Sequence, residues 1–149
     1  MRDEQTGGDD AGDLLQELVN RVSHRGRGEV LTLMAEASVT LHQVMALSVL
    51  AQKGESTLLE LATALNMSQS AMSQMVDRLF QLEYIERAEH PMDRRKKRLA
   101  LTPKAGEFLK RLSEARSAEY RDGIERISPA LRKELADVLQ RVLQELRTS

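Results

Sequence analysis

Thr57-Leu-Leu-Glu-Leu-Ala-Thr-Ala-Leu65, then Asn66-Met-Ser68, then Gln69 through Leu82, is the stretch whose reading decides the fold. The first part spaces its apolar residues as a short helix does. Thr57-x-x-Glu60 is a capping box, in which hydroxyl and carboxylate each satisfy a backbone N–H that a helix start leaves unpaired. Asn66-Met-Ser68 is a tight turn, and a second helix follows from Gln69 to Leu82. Leu61, Ala62, Leu65, Met67, Met72 and Met75 fall where two crossed helices touch, with the small Ala62 allowing close approach. These six are packing residues.

The outward face of the second helix has another character. Ser68, Gln69, Ser70, Ser73, Gln74 and Arg78 are polar and mostly short, and no charge precedes Asp77. A solvated structural helix usually carries more Glu/Lys pairs. Serine hydroxyls beside the free N–H groups of a helix start can take a phosphate. Gln69 and Gln74 can pair with an adenine edge, and Arg78 with guanine or phosphate. The pattern predicts a helix offered to the major groove of DNA.

Moving toward the C-terminus, residues 84–90 and 98–102 are short, partly alternating runs and are expected to be strands, with Pro91 in the loop between them, where no ladder donor is needed. Between them lies Asp93-Arg94-Arg95-Lys96-Lys97-Arg98, five consecutive cations behind one acid. A charge run is often just solvated surface. Here it sits at the tip of a hairpin directly after a helix–turn–helix, and Asp93 is placed to hold the Arg95 guanidinium in one orientation. An oriented arginine suits the narrow, electronegative minor groove.

Toward the N-terminus, Thr40-x-x-Gln43 is a second capping box and Gly54 marks the end of that helix. Leu14, Leu15, Leu18, Val19 and Val22 repeat at helical spacing, as do Val30, Leu31, Leu33, Met34 and Ala37 further on. Gly26 and Gly28 between them kink or split this helix, each costing about 1 kcal/mol against Ala. Residues 1–10 are polar, acidic and glycine-containing, and are expected to be a disordered tail.

Thr102-Pro103 and Ser128-Pro129 are helix starts, a cap followed by proline at the first helical position. The helix after Thr102 keeps a stripe from Ala105 and Phe108 to Ile124 and Ile127. The last helix carries Leu131, Leu135, Val138, Leu139, Val142, Leu143 and Leu146 on one face. A small winged helix cannot cover all these stripes, and burial at about 25 cal/mol per Å² drives them to find partners. Either a second copy of the chain covers them, or they form an intrachain bundle.

Composition narrows the classes. The chain has 149 residues, 41% of them apolar and only 3% aromatic, so the core is built from Leu, Val, Ala and Met, which favours helices. Net charge is −1, yet residues 1–13 carry one Arg against five acids and residues 87–98 carry six Lys/Arg against Glu89 and Asp93. A local basic patch on a near-neutral chain suits a selective binder better than a coat protein. The absence of cysteine excludes disulfides and thiol sensing. His24, His42 and His90 show no metal-ligand spacing. No nucleophile–base pair or phosphate loop is present, so an enzyme is not expected. No apolar run approaches 18 residues and no signal-peptide pattern opens the chain, which makes a cytoplasmic protein without membrane contact the expectation.

The order of elements, with Asp93-Arg94-Arg95 followed six residues later by Leu101-Thr102 and then Gly106, resembles the multiple-antibiotic-resistance regulator (MarR) family of winged-helix repressors. The resemblance covers about residues 13–147 and is sharpest from Thr40 to Gly106. It implies a mainly α fold with a small β-hairpin wing: a winged helix–turn–helix at 40–102, and helices at 11–39 and 103–149 interlocked in a dimerisation region. It further implies that the helix at Gln69–Leu82 enters the major groove, and that Arg95, oriented by Asp93, enters the minor groove. Small anionic or phenolic effectors bind such proteins in a crevice between the dimer helices and the winged helix. His42 could line that crevice, or be an ordinary helix histidine. No cofactor is implied. The expectation is a homodimeric, ligand-responsive repressor on a pseudo-palindromic site in double-stranded DNA. The alternative is a winged-helix adaptor whose basic hairpin meets an acidic protein.

Overall fold

Seven helices and three short strands succeed one another in the computed structural model, which describes residues 6–23, 27–89 and 97–148. The helices are α1 (Thr6–Ser23), α2 (Arg27–Glu36), α3 (Leu41–Lys53), α4 (Leu58–Ala64), α5 (Gln69–Gln81), α6 (Pro103–Ile124) and α7 (Pro129–Thr148). The strands are β1 (Ser56–Thr57), β2 (Ile85–Glu89) and β3 (Lys97–Leu101), in the antiparallel order β1-β3-β2. This is the expected mainly α architecture with a hairpin wing. One detail differs from expectation. α1 begins at Thr6, inside the segment expected to be a tail. The apolar pattern of the first forty residues is carried by two helices, one of the two outcomes expected, with Gly28 inside α2 and Gly26 outside the described residues.

The chain divides into two units. One comprises Glu29–Ala115 and holds α3, α4, α5, the sheet, most of α2 and the first half of α6. Its core is Leu47, Leu50, Leu61, Met72, Leu79 and Ile85, all but fully buried, with Ala46, Val76, Leu99 and Phe108 around them. Each such aliphatic side chain contributes on the order of 1.5–3 kcal/mol through burial. Tyr84 and Phe108 meet with ring centroids 5.3 Å apart. Leu61, Ala62 and Met72 are buried, and Leu65, Met67 and Met75 pack against them, so the six positions assigned to the helix–helix contact do form it.

Both capping boxes are made. The Gln43 N–H donates to the Thr40 hydroxyl (3.3 Å), and the Thr40 N–H to the Gln43 side-chain oxygen (2.8 Å). In α4 the Glu60 N–H donates to the Thr57 hydroxyl (3.2 Å), and the Thr57 N–H to the Glu60 carboxylate (2.7 Å). That backbone donor, then the Thr57 hydroxyl, hold the Glu60 carboxyl below its ordinary value. Thr57 also ends β1, where it pairs with Arg98 of β3.

Three helices stop in one way, and none uses glycine. Ser38, Asn66 and Glu83 take left-handed backbone (φ 54°, 51° and 61°). After each, the next N–H reaches back five residues: Val39 to the Met34 carbonyl, Met67 to Ala62, Tyr84 to Leu79. This is the Schellman termination, which glycine usually supplies. α3 ends on Gly54, as expected (φ 78°).

The other unit comprises Met1–Gly28 and Arg116–Ser149 and holds α1, the second half of α6 and α7. No residue of α7 is buried. Leu131, Val138, Leu139, Val142, Leu143 and Leu146 are between 38% and 69% exposed, a whole apolar face in solvent. Gly123 of α6 packs directly on Val22 of α1. Among the described residues, no single helix is long and apolar enough to cross a membrane.

Candidate nucleic-acid interface

Recognition chemistry in this fold starts from α5. Its inner side is fixed by Met72, Val76 and Leu79, all buried. That anchoring turns Gln69, Ser70, Gln74 and Arg78 outward, all exposed, with Ser73 half-buried at the edge of the same face. Ser68 is the N-cap: its hydroxyl accepts the Ala71 N–H at 3.2 Å. Its oxygen is thus engaged in starting the helix, a role that leaves the hydroxyl hydrogen free to turn toward an acceptor. The six residues singled out in the sequence therefore lie together along one helix, five of them exposed.

The wing is a ribbon of five facing pairs, from Ile85↔Leu101 to Glu89↔Lys97. Asp93, Arg94, Arg95 and Lys96 lie outside the described residues. Lys97 opens β3 opposite Glu89. Arg98, the last cation of the run, lies at the wing root: it pairs with Thr57 of β1, and its guanidinium is 3.5 Å from the Glu55 carboxylate. The Arg98 Nε is buried with no hydrogen-bond partner.

Three residues matter here that the sequence did not single out. Arg87 of β2 donates to the Asp77 carboxylate of α5 at 2.8 Å, and its guanidinium carbon stands 5.3 Å from the centre of the Phe80 ring. Asp77 and Phe80 are one turn apart on α5, so one side chain of the wing holds two positions of the helix. The alternation of β2 puts Arg87 on the same side as buried Ile85, and that parity was the available signal.

An open hollow of about 310 Å³ lies within the Glu29–Ala115 unit, lined by Leu33, Tyr84, Phe108, Lys104, Arg111 and the acids Glu36 and Glu107 among others. Lys104 is largely engaged there: its ammonium donates to the Leu82 carbonyl at 2.8 Å and lies 4.9 Å from the Tyr84 ring centre. His42, the residue assigned to an effector crevice, stands exposed on the first turn of α3 and does not line this hollow. No cluster of His, Cys, Asp or Glu among the described residues could hold a metal ion.

A buried-backed helix with an uncharged polar face, set beside a three-stranded wing, defines a winged helix–turn–helix. That architecture is shared with solved structures that include a transcriptional regulator. The MarR family model matches residues 39–97. Solved structures share the fold over nearly the whole chain. The transcriptional regulator Tm0710 from Thermotoga maritima is similar with a TM-score of 0.81 at 21% identity, covering 94% of this chain and 96% of that one. RV1404 from Mycobacterium tuberculosis is similar with a TM-score of 0.70 at 29% identity, covering 91% and 90%. MepR of S. aureus, solved as a complex with DNA, is similar with a TM-score of 0.69 at 19% identity, covering 88% and 98%. None of the curated proteins matches the chain significantly.

Proposed function

We propose that this chain is a ligand-responsive repressor that binds a pseudo-palindromic DNA site as a homodimer. The observation that carries the reading is the outward face of α5: Gln69, Ser70 and Gln74, exposed and uncharged, on a helix whose other side is locked into the core. Such a face has little use in water and the right donors and acceptors for base edges and phosphates. The similar fold of MepR, which was solved in complex with DNA, supports a DNA-binding reading. In this reading α5 lies in the major groove, with Ser68, Gln69, Ser70, Ser73, Gln74 and Arg78 toward DNA. Arg94, Arg95, Lys96, Lys97 and Arg98 supply the wing's positive charge, with Asp93 steadying Arg95 in the minor groove.

The homodimer draws its support from α7. Six large apolar side chains on one face of a helix with no buried residue call for a partner, and a second copy offers the same face in return. Two recognition helices then meet successive major grooves about 34 Å apart. A small anionic or phenolic effector would act by changing that spacing, for which a coupling of about 1–3 kcal/mol suffices. The hollow beside Tyr84, Phe108 and Arg111 offers aromatic walls and a cation to such a molecule.

The test is selection. The full chain is incubated with a random-sequence duplex pool, and the retained fragments are sequenced and footprinted. A two-fold symmetric consensus, bound with a steep salt dependence and by a particle of twice the chain mass in sedimentation, is the expected result. Equal, weak binding to all duplexes by a single-chain particle would overturn it.

A further inference from the structure

We infer that Arg87 is a positioning residue for DNA binding, which sets the direction of the wing relative to the recognition helix through Asp77 and Phe80. The inference rests on the DNA-binding reading above and adds a residue to it. Arg87 is tied at two points of α5, by the 2.8 Å bond to Asp77 and by the stack over Phe80 at 5.3 Å. Beyond it the described wing is a single paired ribbon, Arg87↔Leu99, Ala88↔Arg98 and Glu89↔Lys97. Its direction is therefore set where it is fastened. The other strand is fastened separately, through Arg98 to Glu55 and to β1.

The exposure of these groups argues for geometry over stability. The Arg87 and Asp77 side chains are 41% and 58% exposed, and an ion pair so open to water adds little to folding. Phe80 is 47% exposed, an apolar ring that α5 leaves out of the core and that the Arg87 guanidinium partly covers. An arginine is suited to this double task, since its planar group can stack on a ring while its edge bonds a carboxylate. With Asp77 as its partner, Arg87 is also held away from direct use as a phosphate contact, in contrast to Arg78 on the same helix.

The test uses the full chain and the duplex it selects from the random pool, with D77N, R87Q and the double variant. Each single variant is expected to weaken binding roughly three- to thirtyfold, and the double variant to be no weaker than the worse single one, as for residues acting as a unit. Melting temperature should barely move, and the slope of log affinity against log salt should stay that of the parent, since no phosphate contact is lost. If R87Q lowers that slope by about one while D77N binds as well as the parent or better, Arg87 contacts DNA directly and the positioning role is wrong. Parental affinity in both single variants would also overturn it. Failure of the parent chain to select any duplex would instead overturn the DNA-binding reading, and the inference with it.

Discussion

Gly123 of α6 lies so close to Val22 of α1 that a methyl group on the glycine would stand 2.6 Å from the Val22 Cα and carbonyl oxygen. The atoms in the way are backbone and the Val22 Cβ fixed to it, none of which can swing aside. A second glycine of α6, Gly106, has nothing within 4 Å of the same position. The two make a matched pair. Alanine improves any helix interior by about 1 kcal/mol over glycine. Gly106→Ala should therefore raise stability by about that amount. Gly123→Ala should lower it by about 1–2 kcal/mol net, since overpacking costs about 1–3 kcal/mol. Urea unfolding of both variants checks this, and a stabilised Gly123→Ala would refute the close crossing.

Glu83 occupies the left-handed position that ends α5, at φ 61°. Left-handed backbone costs a residue with a Cβ about 1–2 kcal/mol, which glycine avoids. The Glu83 side chain offers little in return: it is 83% exposed, with Lys104 3.7 Å away. Its carbonyl, which accepts the Thr102 hydroxyl at 2.7 Å, is kept by any residue. Glu83→Gly should stabilise the protein by about 0.5–1 kcal/mol after the added freedom of the unfolded chain. Thermal unfolding reads the result directly, and a lower melting temperature would count against the cap.

The two capping boxes differ in one respect, since Gln43 cannot titrate and Glu60 can. The folded chain holds the Glu60 carboxyl below its ordinary value of 4.5, chiefly through the Thr57 N–H. A lowered folded value means a contribution fully present above pH 4.5 and lost as pH falls through the folded value. Glu60→Gln keeps an acceptor but removes the titration. The stability difference between parent and variant should be largest near neutrality and shrink in acid. Chemical unfolding at a series of pH values tests this, and a difference that grows toward low pH would contradict the assignment.

Two substitutions separate the roles of helix and wing. Gln74→Ala should relax sequence preference at one or two base pairs, at a cost of about 1–3 kcal/mol on the selected site. Arg95→Ala should weaken binding strongly while leaving the oligomeric state unchanged. Competition against single-base variants of the selected duplex distinguishes the two patterns. If both proteins bound that duplex as the parent does, the faces assigned to DNA would be wrong.

Much of this fold was legible in local chemistry. Thr40, Thr57, Ser68, Thr102 and Ser128 each announce a helix, and each hydroxyl accepts the backbone N–H three residues on. The polar face of α5 was legible for the same reason, since helical periodicity sorts inside from outside. Features that depend on distant partners were not. β1 is two residues long and exists because β3 passes beside it. Gly123 reads as a neutral interruption until Val22 is placed against it. The reach of Arg87 to Asp77 spans ten positions and two elements. The helix ends at Asn66 and Glu83 were legible, but the left-handed backbone there and at Ser38 was not, because the usual glycine is missing from all three.

Thr57 is at once the last residue of a strand and the cap of a helix. Its neighbour across the sheet is Arg98, at the foot of the hairpin, and its hydroxyl grips the first turn of α4. No slack chain separates the two duties. A tug on the β3 side of the hairpin is thus delivered to the base of α4 through a single residue, as through a rigid crank, so that hairpin and helix pair feel the same load.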